Sequence, residues 1–240
     1  MTLSWRRIRS IVRKEFREYR RNRSIVVTMA IFPLIFLIQP VVLVNRLSAS
    51  TSGSLAETHI LLYMLAIPVF TPAMLAAYAV AGERTQGSLE PVLTTPIRRE
   101  EFLVGKALAV LVPSIAVAYL VYAAFLVWTV IAAQPGVASA ILKPSDIAAQ
   151  FLYTPLLACL FVWVGIAIST RSSDVRVAQQ LSLLGSIPAV ALIALIAFDV
   201  ITPTPRLAIL AAVALLLADV AGWRVVAPMF DRERLVTGSR

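Results

Sequence analysis

Glu83, Arg84, Glu90, Arg98, Arg99, Glu100, Glu101 and Lys106 put eight charged side chains into 24 residues of a chain that is otherwise only 15% charged. Carboxylates and cations interleaved in this way can form ion pairs, cap short helices and recognise a partner. They do not make a catalytic set. Elsewhere, groups that could do chemistry stand alone. His59 is the single histidine and sits at the edge of an apolar run, so it cannot build a multi-histidine metal site. Cys159 is the single cysteine and lies inside an apolar run, which excludes a disulfide framework and reads as a buried structural thiol. Asp219 is the one carboxylate well inside an apolar run. That makes it a functional candidate, although Arg224, five residues on, offers a local partner or a snorkelling route instead. No HExxH, Ser/His/Asp set or GxSxG elbow is present. Nor is there a GxxxxGK[ST] loop, so the chain cannot cradle a nucleotide by itself.

These residues are positioned by elements built for lipid. The chain has 240 residues, 59% hydrophobic, with a mean hydropathy of +0.84. Its apolar residues come in runs of about 20, the length that crosses a bilayer core of about 30 Å. Six runs qualify, at about Ser24–Val44, Ile60–Gly82, Ala107–Ala133, Ile147–Ser169, Ala178–Phe198 and Leu207–Val226. The expected fold class is an all-α integral membrane protein. Residues 1–23 form an N-terminal segment, 24–226 a six-helix transmembrane domain with a loop at 83–106, and 227–240 a tail. A cleaved leader is the competing reading of the N-terminal region, but Ile25–Val44 is longer than the apolar core of about 7–15 residues that a leader carries.

The net charge of +9 is topological. Alternating the six runs across a membrane puts nineteen of the 22 lysines and arginines on one side, nine of them between Arg6 and Arg23. Only Arg46, Lys143 and Arg206 fall on the other. The excess of basic residues on cytoplasmic loops therefore predicts that both termini and the 83–106 loop are cytoplasmic. No nucleic-acid partner is expected.

Trp5, Ile8, Val12, Phe16 and Tyr19 recur at spacings of three and four, a stripe about 80° wide on a helix. Arg6, Arg9, Arg13, Lys14, Arg17, Arg20 and Arg21 occupy the neighbouring arc. This predicts a helix in the headgroup layer, aromatic side down and basic side toward anionic lipid, or else a solvated arm serving only as a topology signal. In the fifth run Gln179, Ser182, Ser186 and Ala189 form a small, polar stripe suited to helix packing or to lining a pathway. Prolines 33, 40, 68, 72, 113, 155 and 188 fall inside the runs and invite kinks.

Within the loop, Ser88 can cap a turn that begins at Leu89-Glu90, with Pro91 in its first turn and Val92-Leu93 as an apolar face. Pro96 ends that element and Arg98-Arg99-Glu100-Glu101 opens the next helix. A short amphipathic helix held between two spans could dock in a partner's groove.

The residues Glu83-Arg84, Gly87-Ser88-Leu89-Glu90, Leu93, Pro96, Arg99, Glu101 and Gly105-Lys106 resemble the signature of type-2 ABC transporter permeases, approximately E+xxGTLExLLxTPxxRxExxxGK. The stretch Met229–Leu235 is similar to the ending of many such permeases. The six runs and the basic N-terminal helix match the family layout across the chain. Ser88 stands where threonine is usual, and the connection Asp199–Arg206 leaves little room for the external helices some members carry. The resemblance implies a permease subunit that exports a hydrophobic or amphipathic substrate across the plasma membrane. Gly87, Ser88, Leu89, Glu90, Pro91, Val92, Leu93, Thr94, Thr95 and Pro96 would form the coupling helix, with Glu83 fixing its base. It further implies an ABC ATP-binding subunit that holds ATP and Mg, and a second permease subunit, identical or related. An ion-coupled secondary transporter, a membrane enzyme and a non-transporting anchor are the alternatives. The first needs intramembrane charges for coupling, for which Asp219 alone is poor support, no catalytic set supports the second, and the third leaves the loop unexplained.

Overall fold

The structure, a computed structural model, describes residues 3–46, 59–85, 87, 97–134 and 136–230. All regular structure among them is helical. Helix α1 (Trp5–Arg21) ends at Asn22, whose extended backbone turns the chain into α2 (Arg23–Arg46). A 3-10 turn (Ile60–Ala66) leads into α3 (Ile67–Ala76), and α4 (Ala81–Thr85) closes that passage. Helix α5 (Arg99–Ala132), the short α6 (Val137–Ile141), α7 (Pro144–Arg171), α8 (Val175–Ala197) and α9 (Pro205–Val226) follow, and a 3-10 turn ends at Phe230. Six passages are long and apolar enough to cross a membrane: α2, Ile60–Thr85, α5, α7, α8 and Pro205–Met229. The chain is an all-α integral membrane protein.

The second span is the centre of the bundle and is almost wholly buried, with α2, α5, α7 and α8 packed around it. The first, fifth and sixth spans instead expose most of their apolar side chains, Leu34, Ile38, Leu184, Ile209 and Leu217 among them. Such a surface suits hydrocarbon, where apolar exposure costs nothing. Gly165 of α7 allows the closest helix approach: a Cβ there would meet the Ala76 Cβ at 2.6 Å and the Ala73 carbonyl oxygen at 3.0 Å.

The central span is not the single helix its run of apolar residues suggests. Residues 77–80 form a turn between α3 and α4. Ser169 of α7 compensates for the broken ladder: its hydroxyl accepts from the Val80 and Ala81 N–H groups at 3.1 and 3.0 Å and donates to the Ala77 carbonyl at 2.8 Å. Irregular backbone at membrane depth is tolerated only where protein satisfies it in this way. The third span also differs from the apolar run at 107–133, because its helix starts at Arg99. At 1.5 Å per residue its 34 residues reach about 51 Å, well beyond a bilayer core of about 30 Å. Its first two charged turns therefore stand clear of the core and carry part of the site.

Candidate functional site

Ser88, Leu89, Glu90, Pro91, Val92, Leu93, Thr94, Thr95 and Pro96 lie outside the described residues, as does the tail from Asp231. Gly87 is described and takes a left-handed φ of 66°, which a glycine adopts without strain. What the structure describes in detail is the pair of stems on which the loop stands, and both are tied to α1.

Lys106 is 1% exposed, and its ammonium donates to Glu83 Oε1 at 2.7 Å and to Glu15 Oε1 at 2.9 Å. Glu83 ends the incoming stem, Lys106 belongs to the outgoing one, and Glu15 is on α1. Lys14 donates to the same Glu83 oxygen and lies 3.4 Å from Glu15. Two carboxylates and two ammonium groups thus close a cluster whose charges cancel. Glu15, Glu83 and Lys106 are buried while Lys14 reaches solvent, and burying any of these three singly would cost several kcal/mol, on the order of 3–5 when one partner is removed from a formed pair. Burial works against the charge on Lys14, but the bond to Glu83 and the Glu15 and Glu18 carboxylates outweigh it and hold the ammonium above its usual range. Tyr19, buried beside them, has its phenol pushed well up by burial and then by Glu15, Glu18 and Glu83.

One turn nearer the loop, a third carboxylate holds the start of α1. Glu101 Oε1 accepts from the Ser4 N–H at 2.9 Å, while Oε2 accepts from the Arg7 guanidinium and the Arg98 N–H, each at 3.2 Å. Its bond to Arg98 also caps the first turn of α5, which explains why the helix opens at Arg99. Gly105 sits between the two carboxylate sites, and a Cβ there would lie 2.8 Å from Ile11 Cγ2 and 2.9 Å from Ile11 Cβ. The glycine is what lets α1 lie against α5. Arg84 completes the incoming stem by donating to the Ser172 and Thr170 carbonyls at 2.8 and 3.3 Å, at the C-terminal end of α7, where a cation also meets the favourable end of the helix dipole.

Docking on protein turns α1 relative to its aromatic stripe. Ile8, Ile11, Glu15 and Tyr19 are the buried residues, a face rotated roughly 55° from the Trp5–Ile8–Val12–Phe16–Tyr19 stripe at 100° per residue. Trp5 is 65% exposed, and Val12 and Phe16 are half-buried at the edge. The cause is Glu15: its ion pair with Lys106 draws a carboxylate, rather than the centre of the stripe, into the contact.

The other expected positions fall on separate helix contacts. Ser182 and Ser186 are fully buried and Gln179 partly so, on the side of α8 that packs against the second span. The Ser186 hydroxyl donates back to the Ser182 carbonyl at 2.9 Å, within its own helix. Asp219 is half-buried between α9 and α7, opposite Cys159. The structure does not bring Asp219 to the serine stripe.

Sequence reasoning did not single out Glu15 or Ser169, and it named Arg84 and Gly105 only as part of the loop signature. One signal was present: Glu15 falls between Ile8 and Ile11 around the helix, a carboxylate on an apolar face. Nor did it find the pin at the opposite end of the bundle. There His59 Nδ1 meets the buried Asp146 Oδ1 at 2.8 Å, and the His59 N–H donates to the Ala197 carbonyl at 3.1 Å, joining spans two, four and five.

The stems thus form one buried assembly with α1, at the end of a six-span bundle. The family model of the ABC-2 family transporter protein matches residues 9–229, nearly the whole chain and every element just described. The chain belongs to this family. It is a type-2 ABC transporter permease, the membrane component of a transporter from a class that lacks its own nucleotide-binding domain. No curated protein matches it. In this permease the signature residues Glu83, Glu101, Gly105 and Lys106 all serve the contact between the loop stems and α1.

Proposed function

We propose that this permease is half of an ATP-driven exporter in the plasma membrane, with both termini and the 83–106 loop in the cytoplasm. An ABC ATP-binding subunit, holding ATP and Mg, docks on Gly87–Pro96, and a second permease subunit, identical or related, completes the transmembrane unit. The substrate class is hydrophobic or amphipathic. The distribution of lysine and arginine supports the orientation.

The observation that carries the reading is the Glu83–Lys106–Glu15–Lys14 cluster. A loop that only connected two spans would not require its two stems to be cross-linked by a buried ion pair and then clamped to a third element. A loop that receives force would. Closure of two ATP-binding subunits pushes on residues 87–96, and the cluster spreads that push over α1, the second span and α5 together. The second span is the buried centre of the bundle, so its displacement reaches every neighbour. Local strain at the loop becomes a rigid-body rearrangement of the membrane helices.

Capture of the permease from its native membrane tests this. An ATP-binding protein of the ABC class should come with the wild type, and Glu90→Arg combined with Leu93→Asp should reduce its recovery at least about tenfold, as hot-spot losses at a small interface do. The absence of any such protein from the wild-type capture, or its undiminished recovery with the double variant, overturns the reading.

A further inference from the structure

Two sets of cations stand out on α1. Arg7 and Lys14 are bonded to Glu101 and Glu83 and hold the loop stems. Arg9, Arg13, Arg17 and Arg20 are exposed, and their guanidinium groups make no hydrogen bond or ion pair among the described residues. These four line a groove of about 410 Å³ whose floor is Val12 and Phe16. Around the helix, Val12, Trp5, Phe16, Arg9, Arg20 and Arg13 follow one another within an arc of about 100°, so an apolar edge passes directly into a basic one. The adjoining cavity at the α1–α2 elbow also holds Lys14 and Glu18, which belong to the clamp side.

We propose that this groove binds the headgroup of an anionic phospholipid, with the phosphate among Arg9, Arg13 and Arg20 and the acyl chains running past Phe16 and Trp5. Three observations select lipid as the occupant. Guanidinium groups that are unpaired among the described residues present a forked, bidentate geometry that matches phosphate oxygens. Only Asn22 separates α1 from the first span, which puts Arg20 within about one turn of the membrane-crossing helix and the groove at headgroup level. Finally, Trp5 is 65% exposed on the same arc; a soluble anion gives that indole no apolar partner, whereas the headgroup layer does. The same helix therefore holds lipid on one face and the loop stems on the other, and lipid occupancy fixes the height at which the clamp sits. The inference stands independently of the ATPase reading, because it requires only this chain and a bilayer lipid.

The test is native mass spectrometry of the purified full-length permease titrated with phosphatidylglycerol or phosphatidylcholine of equal chain length. Each basic residue near an anionic surface contributes about fivefold, so the wild type should prefer phosphatidylglycerol at least about tenfold. The triple variant Arg9→Gln, Arg13→Gln, Arg20→Gln should lose that preference. Exchange to lysine at the three positions should restore part of it. The charge-matched triple Arg171→Gln, Arg176→Gln, Arg224→Gln, exposed elsewhere, should leave it intact. An unchanged preference in the first triple, an equal loss in the second, or displacement of phosphatidylglycerol by millimolar inorganic phosphate overturns the proposal. So does a first triple that keeps its lipid preference but loses an ATP-binding partner, which would assign the groove to protein.

Discussion

At the scale of single residues, Lys106 is the group on which the cluster turns. Its ammonium bridges both loop stems to α1, and at 1% exposure water cannot replace it. Lys106→Met keeps the stem length and removes the charge, leaving Glu15 and Glu83 buried with an excess of negative charge. We expect a loss of about 3–5 kcal/mol, measured by thermal or denaturant unfolding in detergent. Adding Glu15→Gln should recover at least about 1 kcal/mol, the coupling that a double-mutant cycle reports for contacting partners. Additive losses would show that the cluster does not act as a unit. The sequence showed Lys106 and Glu83 in a charged loop signature, with Glu83 expected at the base of the coupling helix, but not their partner Glu15, since pairing across 91 positions, as between Glu15 and Lys106, leaves no local trace. By contrast, the helix opening at Arg98–Glu101 was legible because a cap is a local event.

At the scale of elements, α1 and α5 form the contact on which the coupling account rests, and Gly105 sets its spacing. Gly105→Val forces a branched side chain into Ile11, and overpacking of this kind costs about 1–3 kcal/mol. The gain in helix propensity over glycine is smaller, under about 1 kcal/mol. The prediction is that α1 lifts more often, so that trypsin cleavage after Lys14 accelerates about fivefold or more, tenfold for each 1.4 kcal/mol. Unchanged cleavage would contradict the contact. The amphipathic character of α1 and the six spans could be read from periodicity and run length, because lipid and interface impose both directly. The rotation of α1, the turn at 77–80 and the short helix α6 could not. Each depends on a tertiary partner: Glu15 on Lys106, the turn on Ser169, and α6 on burying Val137 and Ile141 in the core around Tyr122 and Phe125.

At the scale of the whole molecule, the ends of the bundle are built differently. One end carries the buried ion clusters and the loop that a partner would push. The other is pinned by His59–Asp146 and by the Tyr119 and Tyr153 hydroxyls, which donate to the Phe151 and Ala208 carbonyls. Between them the second span runs almost wholly buried. In the proposed mechanism the loop stems and α1 move as one body when the ATP-binding subunits close. Spin labels at Ser10 and Thr85, both exposed, in a Cys159→Ser background report that directly. Their separation within one protomer is read by double electron–electron resonance in the assembled transporter, with and without ATP and vanadate. Stems and α1 that move together keep this distance constant to within about 2 Å, the scale of a packed helix adjustment, whereas a shift of more than about 5 Å, one helical turn of slippage, would show that they move apart.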